Sequence, residues 1–220
     1  MATTFPHLLL RHAAERPAAA ALREKEYGIW QTWSWADAAR DVRQMACGLA
    51  ALGLAKGQNL AFISDNRPSL YMGFIAVQSL GAVPIPLYQD AVAQEMRFVI
   101  EDAEVAFAFA ENQEQVDKLL EVRESVPSIQ HIIYDDPRGL RKYDAPGLIS
   151  IAQLKELGQE WDRDHPGTWD AMVQAVQPED VSVILYTSGT TGKPKGVCQT
   201  HASFIGSAQG GVEVDGLTPS

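Results

Sequence analysis

The sequence lacks the features that mark several large classes of protein. Its 220 residues carry a net charge of −10 and contain no run of Lys and Arg, which argues against a nucleic-acid binder. No apolar stretch reaches the roughly 18 residues that a membrane span needs. Residues 1–17 contain charges and no sustained apolar core, so they do not resemble a signal peptide. We therefore expect a cytoplasmic protein with no transmembrane segment and no nucleic-acid partner.

Cysteine is also scarce. The two cysteines, Cys47 and Cys198, stand at no metal-binding or redox spacing, and so few cysteines suit a reducing compartment. For Cys198 we expect burial as a small hydrophobe, with a reactive thiol as the alternative.

What is present is an ordinary globular composition, 46% hydrophobic and 21% charged, with helix and strand signals in alternation. Ser34 and Asp37 predict the start of the clearest helix through a capping box, and Gly53 predicts its end. Five residues recur at steps of four and three on one face of that helix: Ala38, Val42, Met45, Leu49 and Leu52. Before it, the stretch around Gly28 predicts a β-hairpin. Trp30, Trp33 and Trp35 are interpreted as packing residues of that hairpin and its neighbour, with a platform for a sugar or a base as the alternative.

The later strands are almost continuously apolar and are separated by helices, which predicts a mostly parallel sheet covered on both faces. The prolines in residues 82–88 (AVPIPLY) suit an edge strand. The segment from 135 to 178 is less regular, and Asp135–Asp136 before Pro137 predicts a solvated turn. The last strand, residues 181–186, runs into a glycine-rich loop. We expect that loop to lie at the carboxyl end of a strand of the α/β sheet, where such folds bind ligands, and a helix capped by Thr200 to follow.

The loop itself predicts an anion-binding site. Backbone N–H groups of a glycine-rich loop can converge on an anion because no Cβ blocks the approach. The segment TSGTTGKPKG, residues 187–196, adds four hydroxyls and two lysines. In a chain of negative net charge, such a local concentration of donors suits a polyphosphate.

Better-known motifs do not fit the loop. The P-loop spacing fails because Pro194 stands where the second glycine is needed, and the dinucleotide fingerprint is absent. The nucleophile elbow fails at Tyr186, so Ser188 is not a convincing nucleophile. We assign no catalytic residue. His201, five residues past the loop, is interpreted as a packing or hydrogen-bonding residue at a helix terminus rather than a residue that steers substrate.

The string YTSGTTGKPKGV, residues 186–197, resembles the phosphate loop of the adenylate-forming enzymes, a superfamily that includes acyl-CoA synthetases, adenylation domains of peptide synthetases and firefly luciferases. Residues 31–68 and the segment SLGAVPIPLYQD resemble the modules that precede this loop in the family. Residues 112–144 resemble the bacterial long-chain fatty acyl-CoA synthetase branch. The resemblance runs from about Phe5 onward.

The resemblance implies how the loop is used. ATP, Mg²⁺ and CoA are the implied cofactors and co-substrates, and Lys195 is the implied charge contact, ahead of Lys193. Thr187 is the implied Mg²⁺ contact. The full implied set of nucleotide-binding residues is Thr187, Ser188, Gly189, Thr190, Thr191, Gly192, Lys193, Lys195 and Gly196.

By the same resemblance the fold is the N-terminal α/β subdomain of an acyl-adenylate-forming enzyme, in truncated form. Residues 1–40 would supply a helix and a hairpin that belongs to a second sheet, and residues 41–220 the α/β subdomain. The hairpin would then lack partners, and exposed apolar surface there could drive self-association. The family's downstream motifs (a Tyr-Gly-x-Thr-Glu segment, a ribose-binding Asp, a hinge and a catalytic Lys) are absent from the sequence. We expect the chain alone not to adenylate.

The leading hypothesis is the N-terminal part of an ATP-dependent acyl-CoA ligase that activates a long-chain fatty acid as acyl-AMP. One alternative keeps the family but changes the acid to an aryl, short-chain or amino acid. Another is a non-catalytic phosphate-binding module. Small molecules are the expected partners under each hypothesis.

Overall fold

The computed structural model describes residues 3–187 and 193–216. Helices and strands alternate along these ranges. The helices are α1 Phe5–Glu15, α2 Trp35–Ala51, α3 Pro68–Ser79, α4 Ala93–Asp102, α5 Gln113–Ser125, α6 Ile151–Asp164, α7 Thr168–Ala175 and α8 His201–Asp215. The strands are β1 Ala20–Glu26, β2 Ile29–Ser34, β3 Asn59–Ile63, β4 Val83–Leu87, β5 Phe107–Ala110, β6 His131–Tyr134, β7 Leu148–Ser150, β8 Val181–Thr187 and β9 Lys195–Thr200.

A five-stranded parallel sheet in the order β4-β3-β5-β6-β7 forms the centre, as the apolar strands predicted. Alternate residues of β3 face opposite cores: Leu60 and Phe62 pack in one with α1, α2, α3, α6 and α7, while Ala61 and Ile63 pack in the other with α4 and α5. Burial on both faces explains why these strands read as continuous apolar runs. The proline-bearing β4 is an edge of this sheet, as predicted.

Helix α2 follows its sequence pattern closely. Ser34 accepts from the backbone N–H of Asp37, whose carboxylate accepts from the Ser34 N–H, so the capping box is formed. Four of the five predicted face residues are buried, and Leu52 packs partly buried against the same core. Gly53 follows the C-cap with φ +94°, a conformation that favours glycine. Local signals and tertiary packing agree here, so the prediction is confirmed.

The first hairpin, β1–β2, pairs antiparallel and, within the described ranges, with no other strand. Tyr27 and Gly28 form its turn with φ of +48° and +81°. Tyr27, Ile29 and Trp30 are exposed. Leu22 and Trp33 pack the hairpin against the core, and Arg67 at the start of α3 donates to Glu24 of β1 at 2.9 Å.

The second hairpin corrects the expected place of the last strand. Strand β8 lies beside β4, yet its hydrogen-bonded partner is β9, which runs antiparallel to it. Residues 195–200 are extended because their backbone groups pair with β8; the sequence analysis placed the first two of them in the loop. The glycine-rich segment therefore connects two strands of a hairpin, and Thr200 then caps α8 as predicted, accepting from the Ser203 N–H.

The irregular segment from 135 to 178 contains a short strand, β7, that the sequence analysis missed. The prediction of a solvated turn is wrong for Asp135: its carboxylate accepts from the Ser69 hydroxyl at 2.6 Å, and burial raises its pKa. Asp135 directly follows β6, and its carboxylate meets Ser69 of α3, so the fold covers it. Across residues 3–187 and 193–216 no helix is both long and apolar enough to cross a bilayer.

Candidate phosphate-binding site

Thr187 and Lys195 are the last paired residues of the β8–β9 hairpin, at the base of the glycine-rich loop. Both are exposed. Residues directly opposite each other in an antiparallel pair project from the same face, so the hydroxyl and the ammonium group leave the hairpin on one side. A hydrogen-bonding group and a positive charge are thus presented together at the mouth of the loop.

The opposite face of the hairpin is packed. Tyr186 and Gly196 are the neighbouring register pair, and the Tyr186 ring lies across Gly196. A Cβ at position 196 would stand 2.9 Å from Ile184 Cγ2 and 3.3 Å from Tyr186 Cζ. Glycine at 196 therefore avoids a close contact with Ile184 and leaves room for the Tyr186 ring, whatever its role toward a ligand.

Helix α4 lies against this packed face. The Tyr186 hydroxyl donates to Asp102 Oδ2 at 2.6 Å. Burial and the adjacent Asp102 carboxylate both raise the pKa of Tyr186, so the hydroxyl keeps its proton at neutral pH. One helical turn earlier, the Phe98 ring lies 5.8 Å from the Lys193 ammonium, a cation–π distance.

A pocket of about 400 Å³ opens between these elements. Thr187 and Pro194 line it from the hairpin, Glu95 and Phe98 from α4, and Leu87 from the end of β4. The carboxyl ends of β4 and β8 meet at this pocket. Although β8 is not hydrogen-bonded into the parallel sheet, Thr187 at its carboxyl end lies near the carboxyl end of β4, the edge where α/β folds bind ligands.

His201 and Cys198 flank the loop on its C-terminal side. His201 is 1% exposed at the start of α8 and accepts from the Phe5 N–H through Nδ1 at 3.3 Å. Burial lowers its pKa to about 4, against a small opposing effect of Asp180. The structure agrees with its interpretation as a packing residue. Cys198 is exposed on β9, so its predicted burial is wrong; Cys47 is the buried cysteine, and burial raises the pKa of that thiol to about 12.

The structure brings together the four described members of the predicted site, Thr187, Lys193, Lys195 and Gly196. The predictions for Ser188, Gly189, Thr190, Thr191 and Gly192 lie outside the described residues.

Sequence reasoning missed the α4 residues behind the hairpin. The spacing of Phe98 and Asp102, four residues apart in a helix, shows that they share a face. Nothing local indicates that this face meets residue 186.

The described residues offer little to a metal ion on their own. Within those ranges no group of three or more His, Cys, Asp and Glu side chains is arranged to hold one. The exposed hydroxyl of Thr187 suits Mg²⁺ that takes most of its ligands from phosphate oxygens and water. The donor set therefore fits a metal that arrives with a polyphosphate.

A parallel α/β sheet together with a glycine-, hydroxyl- and lysine-rich segment after a neighbouring strand is typical of nucleotide-binding domains. The family described as AMP-binding enzyme matches residues 9–219, and the chain belongs to it. The expected resemblance to adenylate-forming enzymes is thereby confirmed.

Two named relatives are long-chain-fatty-acid–CoA ligases. FadD15 of Mycobacterium bovis is 28% identical over 203 residues, which cover 92% of this chain and 32% of that protein. ACSBG1 of Rattus norvegicus is 25% identical over 201 residues, covering 91% and 27%. The chain thus spans about a third of the length of the relatives it matches.

Solved structures share the fold. Apo MbtA of Mycobacterium smegmatis superposes with a TM-score of 0.78 at 21% identity over 99% of this chain and 37% of that one. The anthranilate CoA ligase AuaEII, solved with anthranoyl-AMP, gives 0.76 at 20% identity over 94% and 36%. At these identities the likeness concerns the fold.

Proposed function

We propose that this chain is the part of an ATP-dependent acid–thiol ligase that binds the pyrophosphate moiety of ATP. In the proposed reaction a carboxylate oxygen bonds to the α-phosphorus of ATP and the bond to pyrophosphate breaks, giving acyl-AMP. The sulfur of CoA then bonds to the acyl carbon, its proton passes to solvent, and AMP leaves. The first step depends on positioning and on stabilising the charge that grows on the pyrophosphate.

The pairing of Thr187 with Lys195 at the mouth of the loop carries this proposal. Lys195 would contact the β- and γ-phosphates, and Thr187 would contribute a hydroxyl to Mg²⁺ that the phosphates also hold. Further contacts to the phosphates would come from the backbone and hydroxyls of residues 188–192, from Gly196 and, more weakly, from Lys193. Mg²⁺, when bound, would neutralise phosphate charge.

A long-chain fatty acid is the proposed substrate. The names and the modest identities of FadD15 and ACSBG1 support it. An aryl, short-chain or amino acid is the alternative within the same chemistry. The 220-residue stretch alone is proposed to bind nucleotide without turnover, because the described residues supply neither a metal-binding acid cluster nor an assigned catalytic group.

We further propose two structural units, residues 1–40 and residues 41–220. The separate pairing of β1 with β2 supports the first, although α2 runs across the boundary. The exposed apolar side chains of Tyr27, Ile29 and Trp30 support weak self-association through that hairpin. Two free cysteines suit the proposed cytoplasmic location.

The test is an assay of the complete protein that contains this chain. Pyrophosphate release is measured with ATP–Mg, CoA and straight-chain acids of graded length, with benzoate and an amino acid as comparisons. We expect release that depends on both acid and CoA and is highest for the long chains. Highest release with benzoate or the amino acid would reject the fatty-acid assignment, and release independent of any acid would reject the ligase.

A further inference from the structure

Helix α4 contacts the base of the glycine-rich loop on both sides. Tyr186 comes immediately before Thr187 at the end of β8, and its hydroxyl bonds to Asp102. Lys193 comes two residues before β9 reaches Lys195, and its ammonium lies over Phe98. The chain segments that enter and leave the loop are therefore held by one helix.

Glu95, Phe98 and Asp102 form one stripe along the surface of α4, which we call the α4 stripe. Phe98 and Asp102 are four residues apart, one helical turn, and Glu95 lies three residues before Phe98 on the same face. Glu95 and Phe98 also line the pocket beside the loop. On the inner side of α4, Met96, Val99 and Ile100 are buried in the core, which fixes the helix against the parallel sheet.

Strand β8 is not hydrogen-bonded to the parallel sheet, and its start is held by Gln78 of α3, which donates to the Ser182 carbonyl at 2.8 Å; the contact with α4 supports its other end, at Tyr186. The packed face of the hairpin meets the α4 stripe through Tyr186. The Tyr186 ring fits there because Gly196 has no side chain. A hydrogen bond to a charged carboxylate is stronger than one between neutral groups. The pair Tyr186–Gly196 directly precedes the pair Thr187–Lys195 in the hairpin. A displacement of Tyr186 and Gly196 would therefore also displace Thr187 and Lys195.

We propose that Tyr186 and Asp102 are positioning residues, which hold the β8–β9 hairpin on α4 so that Thr187 and Lys195 are aligned for a nucleotide's terminal phosphates. Phe98 is proposed to position the other end of the loop through its cation–π contact with Lys193. The role toward phosphates rests on the proposed function; the anchoring of the hairpin does not.

The chain offers a matched control. Tyr143 donates to Asp117 Oδ1 at 2.6 Å, a tyrosine–aspartate pair of the same length that joins α5 to the following irregular segment. Tyr143→Phe therefore removes a tyrosine–aspartate bond of the same length, together with the bond that this hydroxyl accepts from Gln113, without touching the contact between Tyr186 and Asp102. Asp102→Asn keeps an oxygen acceptor for Tyr186, whereas Asp102→Ala removes it.

The first measurement is amide hydrogen exchange of residues 181–187 and 193–200 without ligand. We expect faster exchange there in Tyr186→Phe and Asp102→Ala, near wild-type exchange in Asp102→Asn, and no change in Tyr143→Phe. Exchange in Tyr186→Phe and Asp102→Ala that matched Tyr143→Phe would overturn the anchoring.

The second measurement is the affinity of the same variants for pyrophosphate–Mg and for AMP. Tyr186→Phe and Asp102→Ala should weaken pyrophosphate binding by about threefold or more and AMP binding by less, since the loop is assigned to the terminal phosphates. Equal weakening for both ligands would overturn the alignment role. A wild-type chain that bound neither ligand would defeat the proposed function, while the exchange result would still decide the anchoring.

Discussion

Thr187 and Lys195 face each other across the last register pair of the β8–β9 hairpin, with the glycine-rich loop between them. Their side chains share one face, and the other face carries Tyr186 over Gly196. The hairpin thus separates two tasks. Thr187 and Lys195 are exposed on one side, and on the other the Tyr186 hydroxyl bonds to Asp102 of α4. Lys195 and Gly196 are neighbours in sequence but face opposite sides of the hairpin, so different contacts constrain them.

Gly196→Val should destabilise the hairpin. Its Cβ would meet Ile184 Cγ2 at 2.9 Å and the Tyr186 ring at 3.3 Å, so the Ile184 side chain must shift and the ring must give way slightly. Overpacking of this kind costs about 1–3 kcal/mol. Urea unfolding checks the loss, with Gly210→Ala as the control, because nothing lies within 4 Å of a Cβ there. Equal stability of the two variants would contradict the packing described here.

His201 should make the fold acid-sensitive. Its pKa is lowered to about 4 by burial, against an ordinary value of 6.5, so between those values the unfolded chain takes up a proton that the folded chain refuses. Stability contributed by neutral His201 is therefore present above pH 6.5 and is lost as the pH falls towards 4.

The measurement for His201 is the free energy of unfolding from pH 7.5 to 4.5 in wild type and in His201→Asn, which can still accept from the Phe5 N–H. The variant should show a shallower decline. His165→Asn, at an exposed position, controls for the loss of one imidazole. A decline as steep in His201→Asn as in wild type would show that other groups cause the acid sensitivity.

Arg43 should stabilise the packing of α2 on α6 and α7. It donates from Nε and Nη2 to both oxygens of Asp162 at 2.7 and 2.9 Å, reaches Asp170 at 3.1 Å, and lies 5.0 Å from the Trp169 ring centroid. Lysine cannot reproduce the paired contact or the stacking. Arg43→Lys should cost about 1–2 kcal/mol.

Thermal unfolding measures the effect of Arg43→Lys. Arg163→Lys is the matched control, since Arg163 and its partner Asp164 are both 71% exposed at 4.0 Å, where an ion pair adds little. If both substitutions lowered the midpoint equally, the Arg43 network would contribute no more than an ordinary surface pair.

Much of the fold could be predicted because its signals are local. The capping box of Ser34 and Asp37 and the apolar period behind it define α2, and the apolar strands define a parallel sheet. Strand β9 was missed because its first residues, Lys195 and Gly196, have loop-forming character, and their extended conformation comes from pairing with β8. Pairing partners are a tertiary property that composition does not encode.

The motif predicts Thr187, Lys193, Lys195 and Gly196 as phosphate-binding residues, and it gives no indication of the α4 residues that lie behind the hairpin. Tyr186 and Asp102 are 84 positions apart, and no local pattern indicates their hydrogen bond. Asp135 had the appearance of a turn residue in sequence, and only the fold shows that α3 covers it.

The most direct test of the account is a calorimetric titration of the 220-residue chain with ATP–Mg, in wild type and in Lys195→Ala. Lys25→Ala, on a strand of the other hairpin, is the matched control. We predict weak binding by wild type, because the described residues supply only part of a nucleotide site. The loss of one charged contact in Lys195→Ala should weaken it about tenfold or more, and Lys25→Ala should leave it unchanged. Submicromolar affinity that Lys195→Ala left unaltered would contradict the assignment of this loop to the phosphates.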